Sequence, residues 1–289
     1  MPTKLYAHLS TNEFTSSYFP TQPHLASDNV KEGFEIGNPA VNHGVLTKTN
    51  KINLSEPNVW PNKNKFAERK QLEQAHGELQ AFASQLLSLL AVSLGKHAKF
   101  FSSWLENPLS TLRLLHYPAA HSDTVNSNPH SVKLSCTPHT DSGMYVRPMC
   151  QLRVRHTLIS YTNSLTLLHQ DPTGGLEVLN ASNEWVPAPY VPGSIVVNIG
   201  DLMATVSGGR FTATIHRVRT PPFKPSALRD GIGRLSIPFF FEPGEACVVV
   251  PVDGNQNSVV YGEHVRKKMA TWVEFQEDSG YDIGTTEEL

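Results

Sequence analysis

The sequence predicts a mainly β fold with flanking helices, and three observations predict it. Seven short runs of β character follow one another between Thr111 and Glu242. Clusters of turn-forming residues separate them, as in an antiparallel sandwich or barrel. Only two segments, one on each side of these runs, space their apolar residues at helical intervals. With 289 residues, the chain can bury a full core and fits one large domain.

Taken in order, residues 1–64 are rich in Asn, Ser, Thr and Pro, show no sustained periodicity, and read as loop and turn with at most a short strand. Next, Leu72, Ala75, Leu79, Phe82, Leu86, Leu89, Leu90 and Ser93 recur at spacings of three and four, predicting a long helix that stops near Gly95. The predicted strands are Thr111 to Tyr117, Val132 to Thr140, Leu165 to Gln170, Gly175 to Leu179, Ser194 to Ile199, Thr212 to Arg219 and Leu235 to Glu242. A closing helix spans roughly Gly262 to Val273. The expected architecture is a double-stranded β-helix, or jelly roll, buttressed by the long helix. Residues 65–289 form the principal domain in this reading.

Composition excludes several classes of function. The formal charge is -2, from 24 basic and 26 acidic residues, so nothing suggests a nucleic acid or an anionic membrane as partner. Cys136, Cys150 and Cys247 are odd in number and widely spaced, which argues against a disulfide framework and fits a reducing, cytoplasmic setting. Neither a signal peptide nor an apolar run long enough to span a bilayer is evident.

The strongest chemical signal is His139-Thr140-Asp141, followed much later by His216. On a strand, residues i and i+2 point to the same face, so His139 and Asp141 can hold one ion while Thr140 turns away. Two imidazoles and one carboxylate, with positions left open, make the facial triad of iron(II) oxygenases; a structural zinc site would be closed by a fourth ligand. Alone, a His-x-Asp pair is weak in a chain with 13 histidines. A second pattern strengthens it. Arg234 and Ser236, again at i and i+2, offer a guanidinium fork and a hydroxyl suited to a carboxylate, and Ile237 to Phe241 directly after them read as buried strand. His43, His76, His97, His121, His130 and His264 read as surface or helix residues.

These motifs occur in an order that resembles the isopenicillin N synthase-like iron(II)/2-oxoglutarate-dependent dioxygenases. The resemblance is carried by His139-Thr140-Asp141-Ser142-Gly143, Leu165 to Asp171, Gly174-Gly175-Leu176, Asn198-Ile199-Gly200-Asp201, His216-Arg217-Val218 and Arg234-Leu235-Ser236. It extends back through the long helix to Pro57 to Pro61 and Glu32 to Gly37. It implies a cupin-like jelly roll with iron(II) on His139, Asp141 and His216. It also implies 2-oxoglutarate held by Arg234, Ser236 and Tyr117, with O2 as oxidant.

Two departures stand out. No counterpart of the family's first strand and helix is recognisable between Met1 and Val30, so residues 1–64 are expected to be the remnant of a longer N-terminal region. Residues 144–164 intervene where the family passes almost directly from the His-x-Asp motif to Leu-Thr-Leu-Leu, and they contain Arg147, Arg153, Arg155 and His156 but no acid. This insertion reads as translated intron, whose excision would leave one isoleucine before Leu165, or else as an active-site loop covering substrate.

The expected function is oxidation, by hydroxylation or desaturation, of a small-molecule metabolite in secondary metabolism. The alternatives are a 2-oxoglutarate-independent iron oxidase and an inactive jelly-roll remnant. Oligomeric state leaves no trace in the sequence.

Overall fold

The structure, a computed structural model, describes residues 18–19, 31–40, 54, 57–61, 66–119, 133–141, 163–220, 233–254 and 258–269. Most of the 1–64 remnant and all of the 144–164 insertion except Asn163 and Ser164 therefore lie outside the described residues.

In chain order the elements are β1 (Tyr18–Phe19), β2 (Glu32–Ile36), α1 (Arg69–Ser93), β3 (Thr111–Tyr117), β4 (Leu134–His139), β5 (Leu165–Gln170), β6 (Leu176–Leu179), β7 (Trp185–Pro187), β8 (Val196–Ile199), α2 (Asp201–Val206), β9 (His216–Arg219), β10 (Arg234–Phe241), β11 (Val248–Val249), β12 (Val259–Val260) and α3 (Tyr261–Met269). All seven predicted strands are present, β3 and β5 with the predicted limits. They form a six-stranded sheet, β1-β2-β3-β10-β5-β8, and a four-stranded sheet, β4-β9-β6-β7, with β11-β12 as a separate ribbon. Every pairing is antiparallel. The two larger sheets are the walls of the jelly roll.

The central strand β10 alternates between two apolar layers. Phe239 and Phe241, fully buried, face α1 together with Leu165 and Leu167 of β5 and Leu112 of β3. A second, smaller cluster of Leu115, Tyr117, Cys136, Leu176 and Val218 lies between the two sheets. Pro238 stands inside this central strand although proline cannot donate to a ladder. The pairs to β3 bracket it, Ser236 with Leu115 and Phe239 with Leu112.

Helix α1 forms where expected, but its buried face is rotated from the stripe read in the sequence. His76, Ala83, Leu87 and Ala91 are buried, Leu72, Ala75, Leu79, Leu86 and Leu90 flank them, and Phe82 and Leu89 are exposed. The reason is His76. It is a helix residue, as read, but a buried one: its Nε2 bonds the Ser110 carbonyl at 3.0 Å and its ring meets Phe239 edge-on at 5.1 Å. Satisfied by that bond, a polar side chain occupies a core position and shifts the seam. Burial lowers its pKa, opposed by the same hydrogen bond. The helix ends as predicted, with Gly95 at φ 73° and Lys96 N–H bonding the Ala91 carbonyl at 2.9 Å, a Schellman cap that glycine accommodates without strain.

Candidate active site

The β4–β9 pairing sets His139 directly opposite His216. Their rings stand 4.3 Å apart, tilted by 55°. Asp141 lies just beyond the end of β4 rather than on it. Thr140, between the two, turns away as expected and donates to Asp201 Oδ2 at 2.9 Å. The bend carries Asp141 inward, where Oδ1 is 3.4 Å from His216 Nε2 and 4.0 Å from His139 Nε2. One ligand atom from each of the three residues lies within 4.8 Å of the others.

Both imidazoles are oriented from behind. Nδ1 of His139 donates to the Thr137 carbonyl at 2.7 Å, and Nδ1 of His216 to that of Thr214 at 3.0 Å. That leaves each Nε2 as the nitrogen facing Asp141 Oδ1, free to meet either a metal or a proton there, the arrangement by which metal-binding histidines are fixed. Three acceptors converging on one point repel each other unless a cation or a proton stands among them. Two nitrogens and one carboxylate oxygen suit iron(II), with positions left for other ligands.

The electrostatics follow from burial and contact. Burial raises the Asp141 carboxyl, but hydrogen bonding and charge from His216, with a hydrogen bond from Thr166, outweigh it and hold the pKa at about 2. Burial pulls the His139 imidazole down, but the Cys136 sulfur, 3.7 Å from Nδ1, together with the Thr137 carbonyl and the charge of Asp141, outweighs it and leaves it raised to about 9. Cys136 shows the other side of that contact. Burial raises its thiol, while Lys31 and His139 draw it down to about 7.

Arg234 sits on the same inner layer and is 1% exposed. Its Nη2 donates to Gln170 Oε1 at 3.5 Å, but Nε and Nη1 are buried without a hydrogen-bond partner. The guanidinium lies over the ring of Tyr117, its partner across β3, at 5.2 Å. Burial raises the Tyr117 hydroxyl pKa well above its ordinary value. Ser236, two residues along β10, is buried on the same side. Tyr117 packs with Cys136 and Cys136 touches His139, so a short series of contacts links the guanidinium to the three ligands. A buried cation with unused N–H groups fits the carboxylate of an oxo acid.

A family model, described as the 2OG-Fe(II) oxygenase superfamily, matches residues 155–243. The matched stretch includes His216, Arg234 and Ser236 and begins after Asp141. "Sexual differentiation process protein isp7" of Schizosaccharomyces pombe is 30% identical over 79% of this chain and 47% of its own length. "2-oxoglutarate-Fe(II) type oxidoreductase hxnY" of Emericella nidulans is 31% identical over 77% of this chain and 56% of its own. The chain belongs to the iron(II)/2-oxoglutarate dioxygenases. Among solved structures of this fold, a full-length Neurospora crassa protein in complex with alpha-KG and 5-formyluracil aligns with a TM-score of 0.65 and 25% identity, covering 88% of this chain and 71% of that one. The chain spans about half the length of the curated relatives it matches.

Iron(II), 2-oxoglutarate and O2 are the cofactor and co-substrates of that family, and the His139, Asp141 and His216 cluster fits the metal. The structure brings His139, Asp141 and His216 together, sets Arg234 against Tyr117, and places Ser236 on the same side of β10 as Arg234. Sequence reasoning missed the partners of Asp141. Thr166 donates to its Oδ2 at 2.6 Å, Asn198 donates to the same oxygen, and Asn163 in turn holds Thr166. Asn198 stood in the recognised Asn-Ile-Gly-Asp stretch and Thr166 in Leu-Thr-Leu-Leu, but neither spacing says which side chain lies across the barrel.

Proposed function

We propose that this dioxygenase chain uses His139, Asp141 and His216 to hold iron(II), and Arg234 with Ser236 and Tyr117 to hold 2-oxoglutarate. Its reaction is the hydroxylation or desaturation of a small-molecule metabolite, in secondary metabolism and in the cytoplasm. The observation that carries the reading is the Arg234 guanidinium, 1% exposed, with Nε and Nη1 unpaired, on the inner face of β10. Among the described residues, no helix is long and apolar enough to cross a membrane.

When bound, iron(II) and the oxo acid supply an O2-dependent oxidation of a substrate C–H bond, coupled to loss of CO2 from the oxo acid. The residues supply position. His139 and His216 would offer Nε2 to the metal, because each Nδ1 is committed to a backbone carbonyl. Asp141, held ionised, supplies the one negative charge. Arg234 and Ser236 fix the distal carboxylate, a proximity effect that turns the other end of the oxo acid toward the metal. Gln170 braces Arg234 from β5, its own Nε2 donating to the carbonyls of Ala188 and Pro189 at 3.1 and 3.3 Å.

The test is anaerobic titration of the chain with iron(II) and then 2-oxoglutarate, following the visible charge-transfer band of the chelate, with His216→Ala as control. A band absent from the control supports the reading. Folded protein that gives no band is the inactive remnant. Turnover of substrate without 2-oxoglutarate makes it an oxidase.

A further inference from the structure

The two oxygens of Asp141 have different surroundings. Oδ1 faces the imidazoles. Oδ2 accepts from Thr166 Oγ1 at 2.6 Å and from Asn198 Nδ2. Each oxygen of an ionised carboxylate has two lone-pair sites, so these donors saturate Oδ2. Thr166 has one hydroxyl proton, and Asn163 decides where it points. The Asn163 amide has a fixed orientation, because its Oδ1 accepts from the Leu165 backbone N–H at 3.1 Å. Its Nδ2 is thereby left to donate to Thr166 Oγ1 at 2.6 Å, and the threonine proton goes to Asp141. Asn163 and Thr166 are 2% and 4% exposed, so bulk water does not replace either bond. Donors run in one direction along the series, an arrangement in which each bond strengthens the next.

We propose that Asn163, acting through Thr166 and alongside Asn198, is a positioning residue that keeps Asp141 a one-oxygen ligand. The proposal rests on the iron reading given above. Its consequence is room: with Oδ2 occupied by donors, three positions at the metal stay open, two for the oxo acid and one for O2. Loss of the Thr166 donor frees Oδ2 to turn toward the cation and take a position that 2-oxoglutarate needs. Binding of the oxo acid then weakens while binding of the metal does not. A purely structural role predicts something else: metal affinity and melting temperature fall together, and the loaded site binds 2-oxoglutarate as before.

The experiment titrates the full chain with Co(II), then titrates the Co(II)-loaded protein with 2-oxoglutarate, reading both dissociation constants and the visible Co(II) spectrum. Thr166→Val keeps the shape and removes the donor. It is expected to weaken 2-oxoglutarate binding about tenfold or more, the scale of one hydrogen bond to a charged group, with Co(II) affinity equal or higher and an altered spectrum. Thr166→Ser is expected to restore wild-type values. Asn163→Ala, which removes the bond one step back, is expected to move the same quantities in the same direction by a smaller factor, and it carries the test if Thr166→Val does not fold. The proposal is overturned if the valine or alanine variant binds 2-oxoglutarate within twofold of wild type. It is equally overturned if metal affinity and melting temperature fall together, or if serine does not restore. Wild-type protein that binds no Co(II) overturns the iron reading itself, and this is told apart because every variant is then silent.

Discussion

Arg234→Met separates the two things a buried guanidinium does, stabilising a bound carboxylate and burdening the empty site. Methionine matches the aliphatic length of the side chain and removes the charge. In the absence of oxo acid, the wild-type charge is 1% exposed and has one hydrogen bond, at 3.5 Å to Gln170, and the face of Tyr117. Uncompensated burial of an ion costs several kcal/mol. Against its removal stand the lost donor to Gln170 Oε1, about 1 kcal/mol, and the cation–π contact, about 1 to 2 kcal/mol. The variant without ligand should therefore gain about 1 to 2 kcal/mol. At about 2 to 4 °C per kcal/mol for a domain of this size, its melting temperature should rise by several degrees. With 2-oxoglutarate the sign reverses. Loss of a buried, hydrogen-bonded charge pair costs about 3 to 5 kcal/mol, or roughly two to three and a half powers of ten in dissociation constant. Anaerobic thermal melts with iron(II), with and without the oxo acid at about 100 times the wild-type dissociation constant, read both. Wild type should gain about 2.7 kcal/mol from ligand, and the variant should gain nothing measurable. A variant that melts well below wild type without ligand would mean that the guanidinium is already paired. One that keeps the ligand shift would remove Arg234 from the carboxylate site.

Three further predictions concern protons, packing and backbone. Because the His139 pKa is raised to about 9 in the metal-free protein and that of Asp141 is held at about 2, metal must displace a proton from His139 and none from Asp141. Affinity for Co(II) should thus rise about tenfold per pH unit up to about pH 9. Calorimetry at pH 8 in buffers of different ionisation enthalpy should count about one released proton, and a count near zero would refute the shift. Leu87→Ala should cost about 2 to 5 kcal/mol of stability and Leu89→Ala under about 0.5, since Leu87 is 1% exposed and Leu89 65%; denaturant unfolding that ranks them the other way would restore the stripe read from sequence. Gly77→Ala, with open space around its added Cβ on α1, should stabilise by about 0.5 to 1 kcal/mol. By the same assay, Gly233→Ala should destabilise by on the order of 3 kcal/mol: its φ is 90° and the new Cβ would collide with the Tyr117 carbonyl.

The positions of the strands along the chain and the His139-x-Asp141 and Arg234-x-Ser236 pairs were legible because each rests on short-range regularity. Period-two burial, glycine- and proline-marked turns, and i, i+2 pairs survive in a one-dimensional text. The phase of α1 was not legible, because a hydropathy stripe counts His76 as polar and has no access to the Ser110 carbonyl that satisfies it. The strands of the small hairpin β6–β7 illustrate a second limit. Trp185-Val186-Pro187 is too short and too rich in interruption to read as a strand, yet it pairs with Leu179, Val178 and Glu177, and Arg217 stacks on Trp185 at 4.0 Å. The Asp141 cradle illustrates a third. Its members are 22, 25 and 57 residues from Asp141 along the chain, and only the folded barrel converts those separations into hydrogen bonds.

The short helix α2 ties a knot that frees the chain elsewhere. Its first amides, those of Asp201 and Leu202, bond the carbonyls of Asp141 and Asn163 at 3.4 and 3.1 Å, and a side chain on Gly200 would collide with the Asn163 carbonyl while standing 3.0 Å from that of Asp141. Asp141 and Asn163, the two ends of the stretch that joins β4 to β5, are thus drawn together as a closed neck, beside the metal ligands but outside the rung that joins His139 to His216. Doubling the length of such an excursion costs only about 0.6 kcal/mol of closure entropy. The neck is therefore a port, at which sequence of almost any length can be exchanged beside the metal without retuning its ligands.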